Sequence, residues 1–256
     1  MPRWSERQLA MLREIGVQHF WPVAPQDPAK PEPVPAAARV AAALPPPLAA
    51  PVALSPRPLG IDTLGWPALR DFVAGCRACA LCEKRRQTVF GAGHPQAHWM
   101  LVGEGPGEQE DLAGEPFVGR SGQLLDRMLL ATGLTRADAA PEHQVYIANA
   151  VKCRPPDNRN PLPAEVAQCA PFLQRQIELV RPKVILAMGK FAAQSVLKSD
   201  EAIGRLRGRV HQHQGVPVVV TYHPAYLLRN PADKALAWDD LCLAREAVQK
   251  QQAAND

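Results

Sequence analysis

Four apolar runs punctuate the chain, at residues 97–102, 145–148, 183–188 and 216–221. Runs this short, bounded by Gly, Pro, Asn or His, predict strands buried on both faces. Between them the period lengthens. Leu124, Leu125, Met128 and Leu129 recur at helical spacing within residues 121–132, and Gly133 follows as a stop. Pro163 suits the first turn of a helix running to about residue 180. Further helices are predicted over residues 66–75, from residue 189 to about 197, and over 231–249. Such alternation predicts an α/β fold with a central, mostly parallel four-stranded sheet flanked by helices.

The strands end, in turn, at Gly103-Glu104, Asn149-Ala150, Gly189-Lys190 and Tyr222-His223. In a parallel sheet these ends share one edge, so residues scattered over about 120 positions converge on one crevice, where open α/β folds hold ligands. The glycine-rich turn at 103–107 does not read as a phosphate cradle. Glu104, Glu108, Glu110, Asp111 and Glu115 would meet a polyanion with like charge, and the spacing matches no nucleotide fingerprint. Phe117, flanked by Pro116 and Val118-Gly119 in what reads as an acidic loop, offers a flat stacking face. His223 ends a strand at the crevice, with Pro224 fixing the next backbone step. Leu227 and Leu228 beside Arg229, in a Pro-bounded loop, read as a wedge for a base stack next to a phosphate contact, or as packing under the loop. Arg205, Arg207 and Arg209 interleave with Gly204 and Gly208, which suits either a phosphate-contacting loop or a solvated turn.

Composition changes the picture at the amino end. Of the 27 prolines, 12 fall in residues 22–58. That Pro/Ala-rich stretch reads as a disordered linker, because it cannot bury enough surface to offset ordering. It separates an amphipathic segment, residues 1–21 with Leu9, Leu12 and Ile15 roughly on one side, from the main domain at 61–256; the linker is placed at 22–60. The segment reads as a frayed end or as a docking peptide for a replication or repair partner. A net charge of +4 is compatible with nucleic acid. No apolar run is long enough to span a bilayer, and the start lacks a signal-peptide core, so a soluble intracellular protein is expected.

In a reducing compartment the six cysteines are better read as ligands or buried thiols than as disulfides. Cys76 and Cys79 form a C-x-x-C half-site, and Cys153 and Cys169 complete a set of four. On spacing alone, four thiolates suit zinc or an iron–sulfur cluster equally. Cys82 and Cys242 read as buried thiols, Cys242 within the apolar pattern of the last helix.

The stretches VGEGPGEQED, EPFVGRSGQLL, YIANAVKCRPPDNRNPLP and HPAYLLRN, in that order, resemble family 4 uracil-DNA glycosylases. The resemblance runs from about Cys76 to Val248 and does not cover residues 1–60. It implies a three-layer fold and a [4Fe-4S] cluster on Cys76, Cys79, Cys153 and Cys169. It also implies a uracil pocket of Glu104, Gly105, Glu110, Phe117, Asn149 and His223, with Asn158 near the site. The implied activity is hydrolysis of the N-glycosidic bond of deoxyuridine in single- and double-stranded DNA, by a cytoplasmic monomer that works at the nucleoid. In that reading Phe117 stacks on the flipped base, Asn149 reads its edge, and Glu110 faces C5. His223 stabilises the leaving anion, Glu104 positions water, and Arg205, Arg207, Arg209, Leu227 and Arg229 meet the DNA. A redox protein and a zinc-stapled nucleic-acid-binding module remain the competing classes on residues alone.

Overall fold

The structure, a computed structural model, describes residues 60–253. The amphipathic segment and nearly all of the linker expected from the sequence lie outside the described residues. The described chain runs α1 (Trp66–Ala74), β1 (Ala92–Gly93), β2 (Trp99–Gly103), α2 (Glu108–Ala113), α3 (Arg120–Ala131), β3 (Tyr146–Asn149) and α4 (Pro163–Val180). It continues through β4 (Val184–Met188), α5 (Lys190–Leu197), α6 (Ile203–Leu206), β5 (Val210–His213), β6 (Val216–Thr221), α7 (Pro224–Arg229) and α8 (Lys234–Ala253). Short 3₁₀ turns join several of them.

The sheet has six strands in the order β1-β3-β2-β4-β6-β5. Its centre, β3-β2-β4-β6, is parallel, as the four apolar runs predict. The four-stranded expectation is corrected at the edges, where β1 and β5 pair antiparallel. Neither carries a strand signal. β1 is two residues long, and β5 alternates exposed with half-buried positions in the sequence VHQH. Edge strands meet core on less of their surface, so hydropathy does not mark them.

The sheet is covered on both faces. Along β2, Met100 and Val102 pack toward Leu173 and Ile177 of α4 and Val196 of α5. Trp99 and Leu101 pack the other way, toward Leu125 and Leu129 of α3 and Leu241 of α8. This two-residue period produces the three layers. Leu125 and Leu129 are at most 1% exposed, and each such burial contributes roughly 1.5–3 kcal/mol. A third cluster, built from Leu69, Val73, Leu81, Phe90 and Phe172, lies around Cys153 and Cys169.

Two segments read as loops are helical. In α2, three acids occupy the first turn, where the helix dipole favours negative charge. Glu110 at its third position accepts from Gly107 N at 3.1 Å. α7 begins with Pro224 at its first position and is capped by His223, whose Nδ1 accepts from Ala225 N at 3.2 Å. No helix among the described residues is long and apolar enough to cross a membrane.

Candidate active site

In chain order, the parallel strands β2, β3, β4 and β6 stack as β3-β2-β4-β6, so the winding reverses between β2 and β4. At that switch point their carboxyl ends open into a cavity of about 780 Å³. Glu104 and Gly105 follow β2, Asn149 ends β3, Gly189 and Lys190 follow β4, and Tyr222 and His223 follow β6; all line it. Phe117, Glu110, Asn158 and Arg229 complete the walls. The residues expected at the crevice are brought together there.

Asn149 is 2% exposed, and its Oδ1 has no hydrogen-bond partner. A buried amide oxygen left unpaired is costly, and such exceptions mark places where something else must bind. Close approach of the backbone makes room for this amide. A Cβ on Gly103 would lie 2.4 Å from Asn149 Oδ1 and 2.8 Å from Phe117 Cζ, so any side chain there would displace both.

Phe117 is 5% exposed and adopts φ +56, a left-handed conformation unfavourable for an aromatic residue. Several contacts hold it there. Arg136 Nη1 donates to the carbonyls of Pro116 at 3.1 Å and Phe117 at 3.0 Å, and Asp126 anchors Arg136 Nε at 2.6 Å. Gly122 lets the next helix pass so close that a Cβ would overlap the Phe117 carbonyl at 1.7 Å. The Phe117 ring stacks on His223, with centroids 5.3 Å apart and planes 28° from parallel.

The carboxylate of Glu110 accepts from Val118 N at 2.9 Å and Gly119 N at 3.1 Å besides Gly107 N. It borders the cavity, and these backbone donors make it the clasp of the Phe117 loop. Burial lowers the His223 pKa to about 4, with the Arg229 charge acting in the same direction. The imidazole is therefore neutral at pH 7. Because Nδ1 accepts from Ala225 N, its proton sits on Nε2. Burial raises the Glu104 carboxyl above the usual range. Asn158, at φ +53, accepts at Oδ1 from Arg154 Nε at 2.8 Å.

On the α1 side, Cys76, Cys79, Cys82, Cys153 and Cys169 line one narrow cavity of about 10 Å³. Burial raises Cys153 to about 11 and Cys169 to about 12. Donors nevertheless face these sulfurs: Arg85 Nη1 lies 2.9 Å from Cys153 Sγ, and Lys152 N lies 3.4 Å from Cys169 Sγ. No three His, Cys, Asp or Glu side chains among the described residues are grouped to hold a single metal ion.

The profile of the Uracil DNA glycosylase superfamily matches residues 90–242, more than half of the chain. The chain belongs to this superfamily. The type-4 uracil-DNA glycosylase of Archaeoglobus fulgidus is 43% identical over 167 residues, which is 62% of this chain and 81% of that protein. The type-4 uracil-DNA glycosylase of Thermotoga maritima is 41% identical over 183 residues, 70% of this chain and 92% of that one. A type-5 uracil-DNA glycosylase from Pyrobaculum aerophilum is 36% identical over 193 residues, 64% and 84% of the two chains.

On this superfamily scaffold several expected DNA contacts change character. Arg207 turns inward: Nε pairs with the buried Asp240 at 2.8 Å, Nη2 donates to the Leu236 carbonyl, and the guanidinium lies 4.6 Å from the Tyr222 ring centroid. Tyr222 in turn stacks on Tyr226 at 4.8 Å, so Arg207 braces an aromatic wall of the cavity and does not face solvent phosphate. Arg209 pairs at the surface with Glu201 at 3.6 Å, and Arg205 is exposed on α6. Leu227 is 1% exposed and cannot act as a wedge; its neighbour Leu228, 37% exposed, is the leucine at the surface. Lys190, Tyr222 and Tyr226 are cavity residues not singled out from the sequence. The Gly189-Lys190 strand end carried the signal for Lys190. The Tyr222-His223 strand end carried it likewise for Tyr222, and Tyr226 depends on the helical phase of α7.

Proposed function

We propose that this chain hydrolyses the N-glycosidic bond of deoxyuridine in DNA, releasing uracil and leaving an abasic site, with residues 61–256 as the catalytic unit. The unpartnered Oδ1 of Asn149, buried at the carboxyl edge of the sheet, carries this reading. Uracil presents N3–H beside O4, a donor beside an acceptor, and the Asn149 amide offers the complement. Cytosine reverses that pattern. A base reaches the amide only when flipped from the stack, which is least costly at a mismatch or in single-stranded DNA. Phe117 supplies the stacking face. As the bond breaks, charge grows on uracil O2, and the neutral His223 donates to it from Nε2. Glu104 positions the attacking water, with Gly105 and Asn158 shaping the wall beside it. Arg229 and Lys190, charged and exposed at the rim, contact phosphates.

The thiols fit a [4Fe-4S] cluster held by Cys76, Cys79, Cys153 and Cys169. Five cysteines line one cavity, yet among the described residues no three are grouped to hold a single metal ion, which favours a cluster over a lone zinc. The donors aimed at Cys153 and Cys169 suit thiolate sulfur. When bound, the cluster would supply a cross-link between the segment that follows α1, the β3–α4 connection and α4, and no step of the hydrolysis. A redox protein or a zinc-stapled binding module has no use for a buried, unpartnered amide facing an aromatic ring.

The test is incubation of the purified chain with uracil-containing single-stranded and duplex oligonucleotides, then alkali cleavage. Strand scission at uracil, and none at thymine or cytosine, is the expected result. Intact strands from protein carrying its full complement of iron would overturn the assignment.

A further inference from the structure

Lys152 is 1% exposed and lies between the two sites just described. It follows β3 and precedes Cys153. Its Nζ donates to the main-chain oxygen of Asn149 at 2.8 Å and to Gln176 Oε1 at 2.6 Å. Gln176, itself fully buried on α4, is held in turn. Its Nε2 donates to the Phe90 carbonyl at 2.8 Å and lies 3.0 Å from the Tyr146 hydroxyl. The orientation of the Gln176 oxygen toward Lys152 is thus determined by its own partners.

Both hydrogen-bond partners of this ammonium are neutral oxygens. Lys152 lines the same narrow cavity as Cys153 and Cys169. A cation buried with only neutral acceptors is strongly disfavoured unless an anion lies close by. Thiolates held by a metal centre would be such an anion. Lysine has the length to cross from the thiol cavity, which it lines, to the carbonyl of the residue whose amide faces the other cavity.

We propose that Lys152 is a positioning residue that couples the two centres: its ammonium balances the charge of the metal-bound thiolates and fixes the Asn149 main chain, so that the base-reading amide holds its register. This rests on the proposed roles of the four cysteines and of Asn149. It also assigns the buried Lys152–Gln176 pair a function that packing alone does not require, since a buried ionic group can often be replaced by an apolar one of similar volume without loss of stability.

The test compares the iron-loaded parent with Lys152→Met, which keeps length and volume, and Lys152→Gln, which keeps a hydrogen-bond donor without charge. Midpoint potential is read by spectroelectrochemical titration, iron loss by challenge with a chelator, and excision by kcat and KM on a uracil-containing single strand. Removing a buried positive charge beside the centre should shift its potential to more negative values in both variants and speed iron loss at least about fivefold. Lys152→Met should also lower kcat at least about fivefold with KM nearly unchanged, and Lys152→Gln should recover part of that loss. If Lys152→Met does not fold, the potential and iron loss of Lys152→Gln decide the matter alone. Iron-bearing variants with parental potential and parental kcat overturn the Lys152 assignment while leaving the active-site reading intact. A parent without iron overturns the cluster assignment, an Asn149→Ala variant excising at the parental rate overturns the active-site reading, and either one overturns the coupling.

Discussion

The cavity at the sheet edge and the thiol centre sit on either side of Lys152 and are built on opposite principles. The first is roomy, about 780 Å³, and leaves a buried acceptor, Asn149 Oδ1, without a partner. The second is almost closed, about 10 Å³, and its sulfurs already face donors from Arg85 and the Lys152 backbone. An unpaired polar group in an open space suits a ligand that comes and goes. Buried sulfurs faced by donors suit a group that stays. The contrast separates reaction from scaffold within one domain, and substitutions can test it from either side.

The largest expected effect is at the scaffold. Cys153→Ser or Cys169→Ser should abolish iron retention and sharply reduce soluble protein, because each removes a link between distant segments; iron assay and yield check it. Cys82→Ser should keep its iron. Loss of iron in Cys82→Ser with retention in Cys153→Ser would redraw the ligand set.

Next is Arg207→Ala, which strands a buried Asp240 and should cost roughly 3 kcal/mol of stability in denaturant unfolding. Its effect on the salt dependence of DNA binding should be negligible, which separates bracing from phosphate contact. At the reaction side, Asn149→Asp retains shape but, ionised, presents only acceptors to uracil O4. Excision should fall at least about tenfold on a uracil oligonucleotide, with a trace of cytosine release permitted. Parental rates in both Asn149→Asp and Asn149→Ala would dissolve the contrast between the two regions.

The pH profile sharpens the same side. His223, lowered to about 4 by burial, stays neutral as pH falls through the ordinary histidine range, so excision should not decline there. Folding stability should decline there instead, because the unfolded histidine takes up a proton that the folded one does not. Glu104, raised by burial, should set the acid limb above the usual carboxylate range, and Glu104→Gln should remove that limb from the residual activity. The smallest effect is Arg229→Ala, which should weaken binding to all DNA sequences and shallow the salt slope by about one unit.

The centre of the fold was legible because four short apolar runs, each bounded by Gly, Pro, Asn or His, read as buried strands whose ends then had to meet. Asn149 and His223 were legible for that reason, as last residue of one strand and first after another. Other features depend on phase and on main-chain partners, which a linear pattern does not display. Leu227 and Leu228 are adjacent in sequence. Once residues 224–229 form a helix, Pro224 and Leu227 share its buried face and Leu228 does not. Glu110 reads as a pocket acid, yet its partners are three backbone N–H groups that no side-chain motif announces. Arg207 is indistinguishable from Arg205 and Arg209 until α8 brings Asp240 beside it. The edge strands were invisible because pairing, not hydropathy, makes them.

The position of the thiols along the chain sets an order of assembly. Synthesis runs from the amino end, so all five sulfurs of the centre, from Cys76 to Cys169, exist before the first residue of β4 at Val184. Ligation of the proposed cluster by Cys76, Cys79, Cys153 and Cys169 would enclose β1, β2 and β3 but neither β4 nor β6, the strands that complete one wall of the crevice. With that cluster in place, a chain still emerging from the ribosome would be clasped at the thiols while the crevice edge is unfinished, and the late strands would dock onto a template already cross-linked.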